Sequence, residues 1–274
     1  MKFITKVFAL IKKILDDQIS KVAAVLSYFS LLSFFPFMIF LLTLVSYSEI
    51  SVDSLVQELG KFLPESAYEL VKSVIIDTFQ SSNQNLLSFG ILFALYAGSG
   101  GIRAIMDGLN TAYNVKENRN FIFIFFISIV YTVALAVIII FSFTLIIFGE
   151  VIGNTVINWF NGNRSFKYFW DFYRVGFTLF LIFIVFVGMY CTFPARKLKI
   201  KKVIPGALFT TLGWFVSSLG FSYYVNNFAN YSRVYGSLGA VIILMTWIYI
   251  TSMMILIGGE LNAFLNEKSL MDNG

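Results

Sequence analysis

Six long apolar segments carry most of this chain, at 24–46, 86–109, 121–149, 175–193, 203–224 and 238–264. A helix of about 20 apolar residues crosses a hydrocarbon core of ~30 Å, so each segment is long enough to span a bilayer. A membrane β-barrel would show ~10-residue stretches of alternating polarity instead. The expected fold is an all-α integral membrane protein, a bundle of six transmembrane helices. The third segment, roughly 43 Å long as a helix, must tilt or project from the bilayer. Hydrophobic residues make up 58% of the chain and charged residues 13%, against about 45–50% and about 25% in soluble domains. Little remains from which to build a second, soluble domain.

The charges that do occur set the topology. Lys2, Lys6, Lys12, Lys13 and Lys21 precede the first span, and Arg196, Lys197, Lys199, Lys201 and Lys202 connect the fourth to the fifth. With six alternating spans these two regions share one side. The connection between the first two spans is acidic instead, with Glu49, Asp53, Glu58, Glu65, Glu69 and Asp77 against Lys61 and Lys72. The positive-inside rule then places both termini in the cytoplasm. The net charge of +5 thus reads as a topology signal with attraction to anionic lipid heads on the cytoplasmic face, not as a nucleic-acid footprint.

Three pieces follow along the chain. Residues 1–23 form an amphipathic cytoplasmic helix, with Phe3, Val7, Leu10, Ile11 and Ile14 at three- and four-residue spacing between lysines. It lies on the inner leaflet or packs on the bundle, and it lacks the small-residue cleavage site of a signal peptide. Residues 24–265 form the transmembrane domain, including an outer connection, 47–85, read as two short helices capping the bundle or serving as a docking face. Residues 266–274 are a short cytoplasmic tail. No internal repeat is evident.

Several chemistries are excluded outright. The chain has no histidine, which removes Ser-His-Asp and Cys-His catalysis, His-ligated metals and the usual neutral-pH switch. Cys191 is the single cysteine, so an intrachain disulfide or Cys-cluster metal site cannot form, and it reads as a small buried hydrophobe. Neither a Walker-type nor a dinucleotide glycine motif occurs. No cofactor, no metal and no catalytic residue is expected.

What remains is polar residues inside apolar segments, which are functional suspects because an ion at the bilayer centre costs about 2.5–3.5 kcal/mol. Arg103 and Glu260 sit ~26 Å and ~33 Å below the outer starts of their helices, hence at similar depth near the cytoplasmic interface. They are expected to pair across the bundle in a polar cluster with Asp107, Asn110 and Asn262, or else to snorkel separately. Gly98, Ser99, Gly100 and Gly101 either let helices pack closely or unwind the second span. Pro36 should kink the first span, where Ser30 and Ser33 add a polar stripe. At the outer end of the fifth span, Tyr224, Asn226, Asn227, Tyr231, Arg233 and Tyr235 read as interfacial anchors or as contacts to a lipid headgroup.

Taken in order, Ser27-Tyr-Phe-Ser-Leu-Leu-Ser-Phe-Phe-Pro36, Ser99-Gly-Gly-Ile-Arg103 with Asp107 and Asn110, and Tyr113-Asn-Val-Lys-Glu-Asn-Arg119 resemble the YihY/BrkB family of bacterial inner-membrane proteins. So do Pro205-Gly-Ala-Leu-Phe209, Tyr231-Ser-x-x-Tyr-Gly-Ser-Leu-Gly-Ala240 and Gly259-Glu-Leu-Asn262. The resemblance runs from about residue 20 to 265 and implies six spans in the cytoplasmic (inner) membrane. It carries no agreed activity. Some members bear a ribonuclease name, which the missing histidines and carboxylate cluster argue against here. The expected function is a transporter or a protein translocating lipids or lipid precursors. The alternative is a non-catalytic scaffold docking envelope machinery through 47–85, with a second copy or an envelope protein as partner.

Overall fold

The computed structural model describes residues 2–46, 72, 84–138, 164–228 and 238–271, and among them every regular element is a helix. In chain order these are α1 (Lys2–Asp16), α2 (Ile19–Ser46), α3 (Gln84–Ala112), α4 (Phe121–Ile138), α5 (Arg164–Thr192), α6 (Ile200–Phe228) and α7 (Leu238–Met271). Residues 266–271, expected as tail, continue α7. The outer connection 47–85 lies outside the described residues apart from Lys72 and the first turn of α3, as do Tyr231, Arg233 and Tyr235.

Among the described residues, five helical stretches are long and apolar enough to cross a membrane: Ile19–Phe37, Phe121–Ile138, Val175–Thr192, Ile200–Val225 and Val241–Asn266. Their outer faces confirm the setting. On α4, Ile122, Phe126, Val130, Val133 and Val137 are exposed, and on α6 so are Leu208, Leu212, Val216, Leu219 and Tyr223. Spacings of three and four residues make each set one continuous stripe, of a kind that hydrocarbon covers and water would not tolerate.

The helix α3 carries Arg103, Asp107 and five glycines. It is sheltered within the bundle. It packs most extensively on α2 and also against α7, and Ile102, Ile105, Met106 and Leu109 are buried in the main core with Phe186, Met189, Tyr190 and Phe193 of the α5 region. Ile124, Ile127, Tyr131 and Leu135 of α4 close over the same core.

The helix ends on the α1 side are tightly specified. At the end of α3, Val115 N–H donates to Asn110 O at 2.9 Å and Asn114 N–H to Thr111 O at 2.9 Å, the paired bonds of a Schellman cap. Asn114, at φ 51°, takes the left-handed position that asparagine tolerates. Six residues later Asn120 Oδ1 accepts the Ile122 N–H at 3.0 Å, the N-cap of α4. Gln18, also at φ 51°, makes the corner between α1 and α2.

The glycine run does not unwind α3, which continues from Gln84 to Ala112. It is a packing surface. A Cβ at Gly100 would collide with the Phe29 ring and one at Gly98 with the Thr132 methyl, while Gly101 faces Leu26 and Ser30. Of the two readings of Gly98–Gly101, the described contacts agree with close packing: ring and methyl occupy the space that an opened backbone would need. Pro36 likewise lies inside continuous α2.

Candidate functional site

The polar residues collect at the end of the bundle where α1, the end of α3 and the α3–α4 connection meet. An open cleft of about 570 Å³ is lined by Lys13 and Asp17 of α1, Asp107 and Asn110 of α3, and Asn114, Lys116 and Glu117 beyond it. Lys13 forms the link between this cleft and the interior. Its Nζ lies 3.0 Å from Asp17 Oδ2 and 3.5 Å from Glu260 Oε2. Glu260 has no exposed surface, and neither of its oxygens makes a hydrogen bond. It is a buried carboxylate held by charge alone.

This replaces the expected pairing of Glu260 with Arg103. Depth along a helix does not fix which face of it a side chain occupies. Arg103 Nη1 donates to Ser99 Oγ at 3.2 Å on its own helix, and its guanidinium sits 5.4 Å from the centre of the Phe125 ring, a cation–π contact. Arg103 therefore turns toward α4, and Glu260 toward α1. Asp107 is exposed to the cleft.

Asn110 and Asn262 have structural duties. Asn110 Nδ2 donates to Glu117 Oε2 at 2.9 Å, and its Oδ1 accepts the Ala195 N–H at 2.7 Å. Glu117 in turn is gripped by Arg119, through Nε at 2.8 Å and Nη2 at 2.6 Å, and Arg119 Nη2 also donates to Phe193 O at 2.9 Å. The α3–α4 and α5–α6 connections are clasped together by this set. Hydrogen bonds from Arg119 hold the Glu117 carboxyl down at about 2, against the opposing effect of partial burial, and Glu117 raises the Arg119 guanidinium.

Asn262 clamps α6 beside Pro205. Its Oδ1 accepts the Gly206 N–H at 2.7 Å and its Nδ2 donates to Val203 O at 3.0 Å, while Asn266 Nδ2 reaches Lys202 O at 3.3 Å. Such contact needs glycine. A Cβ on Gly206 would overlap the Gly258 carbonyl and the Asn262 amide, and one on Gly258 would overlap the Thr210 hydroxyl.

One buried polar centre escaped the sequence reading. Tyr190 Oη lies 2.6 Å from Thr210 Oγ1 and donates to Ile255 O at 2.6 Å, and Thr210 Oγ1 is 3.2 Å from Met254 O. It ties α5, α6 and α7 at one point. Tyr190 lies within one turn of the end of the expected fourth span, where aromatics ordinarily anchor, so its position gave no signal. Of the remaining residues, Ser33 Oγ bonds Ser30 O at 3.0 Å and Ser99 Oγ bonds Tyr96 O at 2.7 Å, each within its own helix. Tyr224 is exposed and Asn227 Nδ2 bonds Tyr223 O; the side chain of Asn226 is not among those described. Among the described residues no group of three acidic or thiol side chains is placed to hold a metal.

Comparison with known proteins decides the family. The family described as virulence factor BrkB matches residues 10–273. This chain belongs to it. Among BrkB relatives, YfkH of Bacillus subtilis strain 168, named as ribonuclease-like, is 41% identical over 98% of this chain and 96% of its own length. A UPF0761 membrane protein of Aliivibrio salmonicida is 28% identical over 94% of this chain and 82% of its own, and one of Alteromonas mediterranea is 28% identical over 94% and 86%. No solved structure matches. The BrkB membership, relatives named as membrane proteins and the apolar helix faces together make this a multi-pass protein of the bacterial cytoplasmic membrane.

Proposed function

We propose that this BrkB-family protein is a transporter, or a protein translocating lipids or lipid precursors, without its own nucleotide site. In this reading α2–α7 are six spans with both termini cytoplasmic, α1 lies at the inner leaflet, and the cleft is the cytoplasmic mouth. The single observation that carries it is Glu260: a carboxylate with no exposed surface, one ion pair behind an open polar cleft. Intramembrane ions are rare and mark pathways, relays and counter-ions. The lysines of α1 and of 196–202 would hold anionic lipid at that face. We further propose that the chain is not an enzyme and does not bind nucleic acid, since neither a nucleophile with a base nor a metal-binding carboxylate set stands out.

The scaffold reading has one observation in its favour. The glycine run of α3, one of whose readings was an unwound helix, is packed by Phe29, Leu26 and Thr132. A bundle closed there needs to open before anything passes.

Reconstitution in liposomes with headgroup-quenchable lipids of several classes separates the two. Movement supported by the wild type and reduced in Arg103→Ala and Glu260→Gln supports translocation. No movement of any lipid by folded protein removes lipid from the list of cargoes and favours the scaffold.

A further inference from the structure

The Lys13–Glu260 contact joins two groups with unequal alternatives. Lys13 is partly exposed, lines the cleft, and has Asp17 at 3.0 Å on its own helix. It can withdraw from Glu260 and keep both water and a carboxylate. Glu260 cannot follow. Its neighbours Gly258 and Gly259 are pressed against Thr210 and Leu109, Asn262 is committed to α6, and neither carboxylate oxygen has a hydrogen bond to fall back on. A buried carboxylate that loses its cation in such surroundings is strongly disfavoured unless it is neutralised.

We propose that Glu260 is a proton-binding site whose proton exchanges with the Lys13 ammonium. A proton arriving through the cleft forms an O–H bond on Glu260, the ammonium moves to Asp17 and the cleft, and α1 loosens from α7. One positive charge enters the interior as one leaves it, so the buried charge is unchanged and no other bond is made or broken. The titratable groups facing Glu260 are Lys13 and Asp17 from α1 and Tyr113 at the end of α3. Asp107, Lys116 and Glu117 line the same cleft as Lys13 and Asp17. The device works whatever the cargo, and whether or not there is one.

The test uses the full chain in liposomes, with Cys191→Ser and a nitroxide on Ile11→Cys, at the exposed face of α1. Acidification should increase label mobility, and infrared spectra should show a protonated carboxylic acid appearing over the same pH range. Glu260→Gln should be mobile at every pH and lack that acid band. Lys13→Met, outside the spans, should also be mobile at every pH yet keep the band. An unchanged pH response in Glu260→Gln would assign it to Asp17 or Asp107 and overturn the proposal. So would a label indifferent to pH, or one that responds to sodium at fixed pH instead. None of these readings requires transport, so a failed translocation assay leaves the test intact.

Discussion

Asn262 of α7 accepts the backbone N–H of Gly206 of α6 at 2.7 Å, next to the position where Pro205 has no N–H of its own to give. The side chain completes a helix that proline interrupts. Asn262→Leu should leave that buried donor unpaired and lower stability by about 1–3 kcal/mol. Thermal unfolding in detergent, followed by the accessibility of Cys191, reads this directly; Asn262→Leu unfolding with the wild type would remove the clamp.

A packed glycine of α7 and open glycines of α5 and α6 should behave oppositely. Gly258→Ala places a methyl on the Thr210 hydroxyl and against Tyr190, an overpacking expected to cost about 1–3 kcal/mol. Gly188 and Gly220 have open space around an added Cβ. Alanine there should be neutral, or stabilise by up to ~1 kcal/mol through helix propensity. Equal effects at all three positions would contradict the packing described.

Charge reversal distinguishes the partner of Glu260. Lys13→Glu and Glu260→Lys should each reduce folded yield, and together should recover part of it. Arg103→Glu with Glu260→Lys should show no such recovery, because Arg103 faces Ser99 and Phe125. A double-mutant cycle on melting temperature measures both couplings.

The Glu117 clasp carries a defined pH signature. Its carboxyl is held at about 2 in the fold against an ordinary 4.5. The stabilisation is therefore fully present above pH 4.5 and is lost as pH falls toward 2. The stability gap between wild type and Glu117→Gln should be constant from pH 7 to 5 and narrow below that. A gap that widens with acid would mean the carboxyl is not paired with Arg119.

Periodicity and hydropathy were enough for the apolar helices, since a lipid-facing stripe needs nothing beyond its own side chains. The α3 helix was legible too, although Arg103, Asp107 and its glycines dilute its hydropathy, because its length and apolar flank remain. The Lys13–Glu260 contact was not. Counting residues orders side chains by depth along each helix, but which faces meet depends on the packing of α1 against α7, and no local pattern encodes that. Tyr190 was missed for a related reason: its two hydrogen-bond partners lie on α6 and α7, so nothing in the sequence around it distinguishes a buried hydroxyl centre from another aromatic in a span.

The contact between α1 and α7 also has a consequence in time. Lys13 leaves the ribosome well before Glu260, which lies on α7. Until α7 is inserted, α1 lacks the Glu260 carboxylate it docks on. Docking of α1 therefore waits for α7, and a chain cut short before α7 would keep an undocked α1 for any quality-control protease to find.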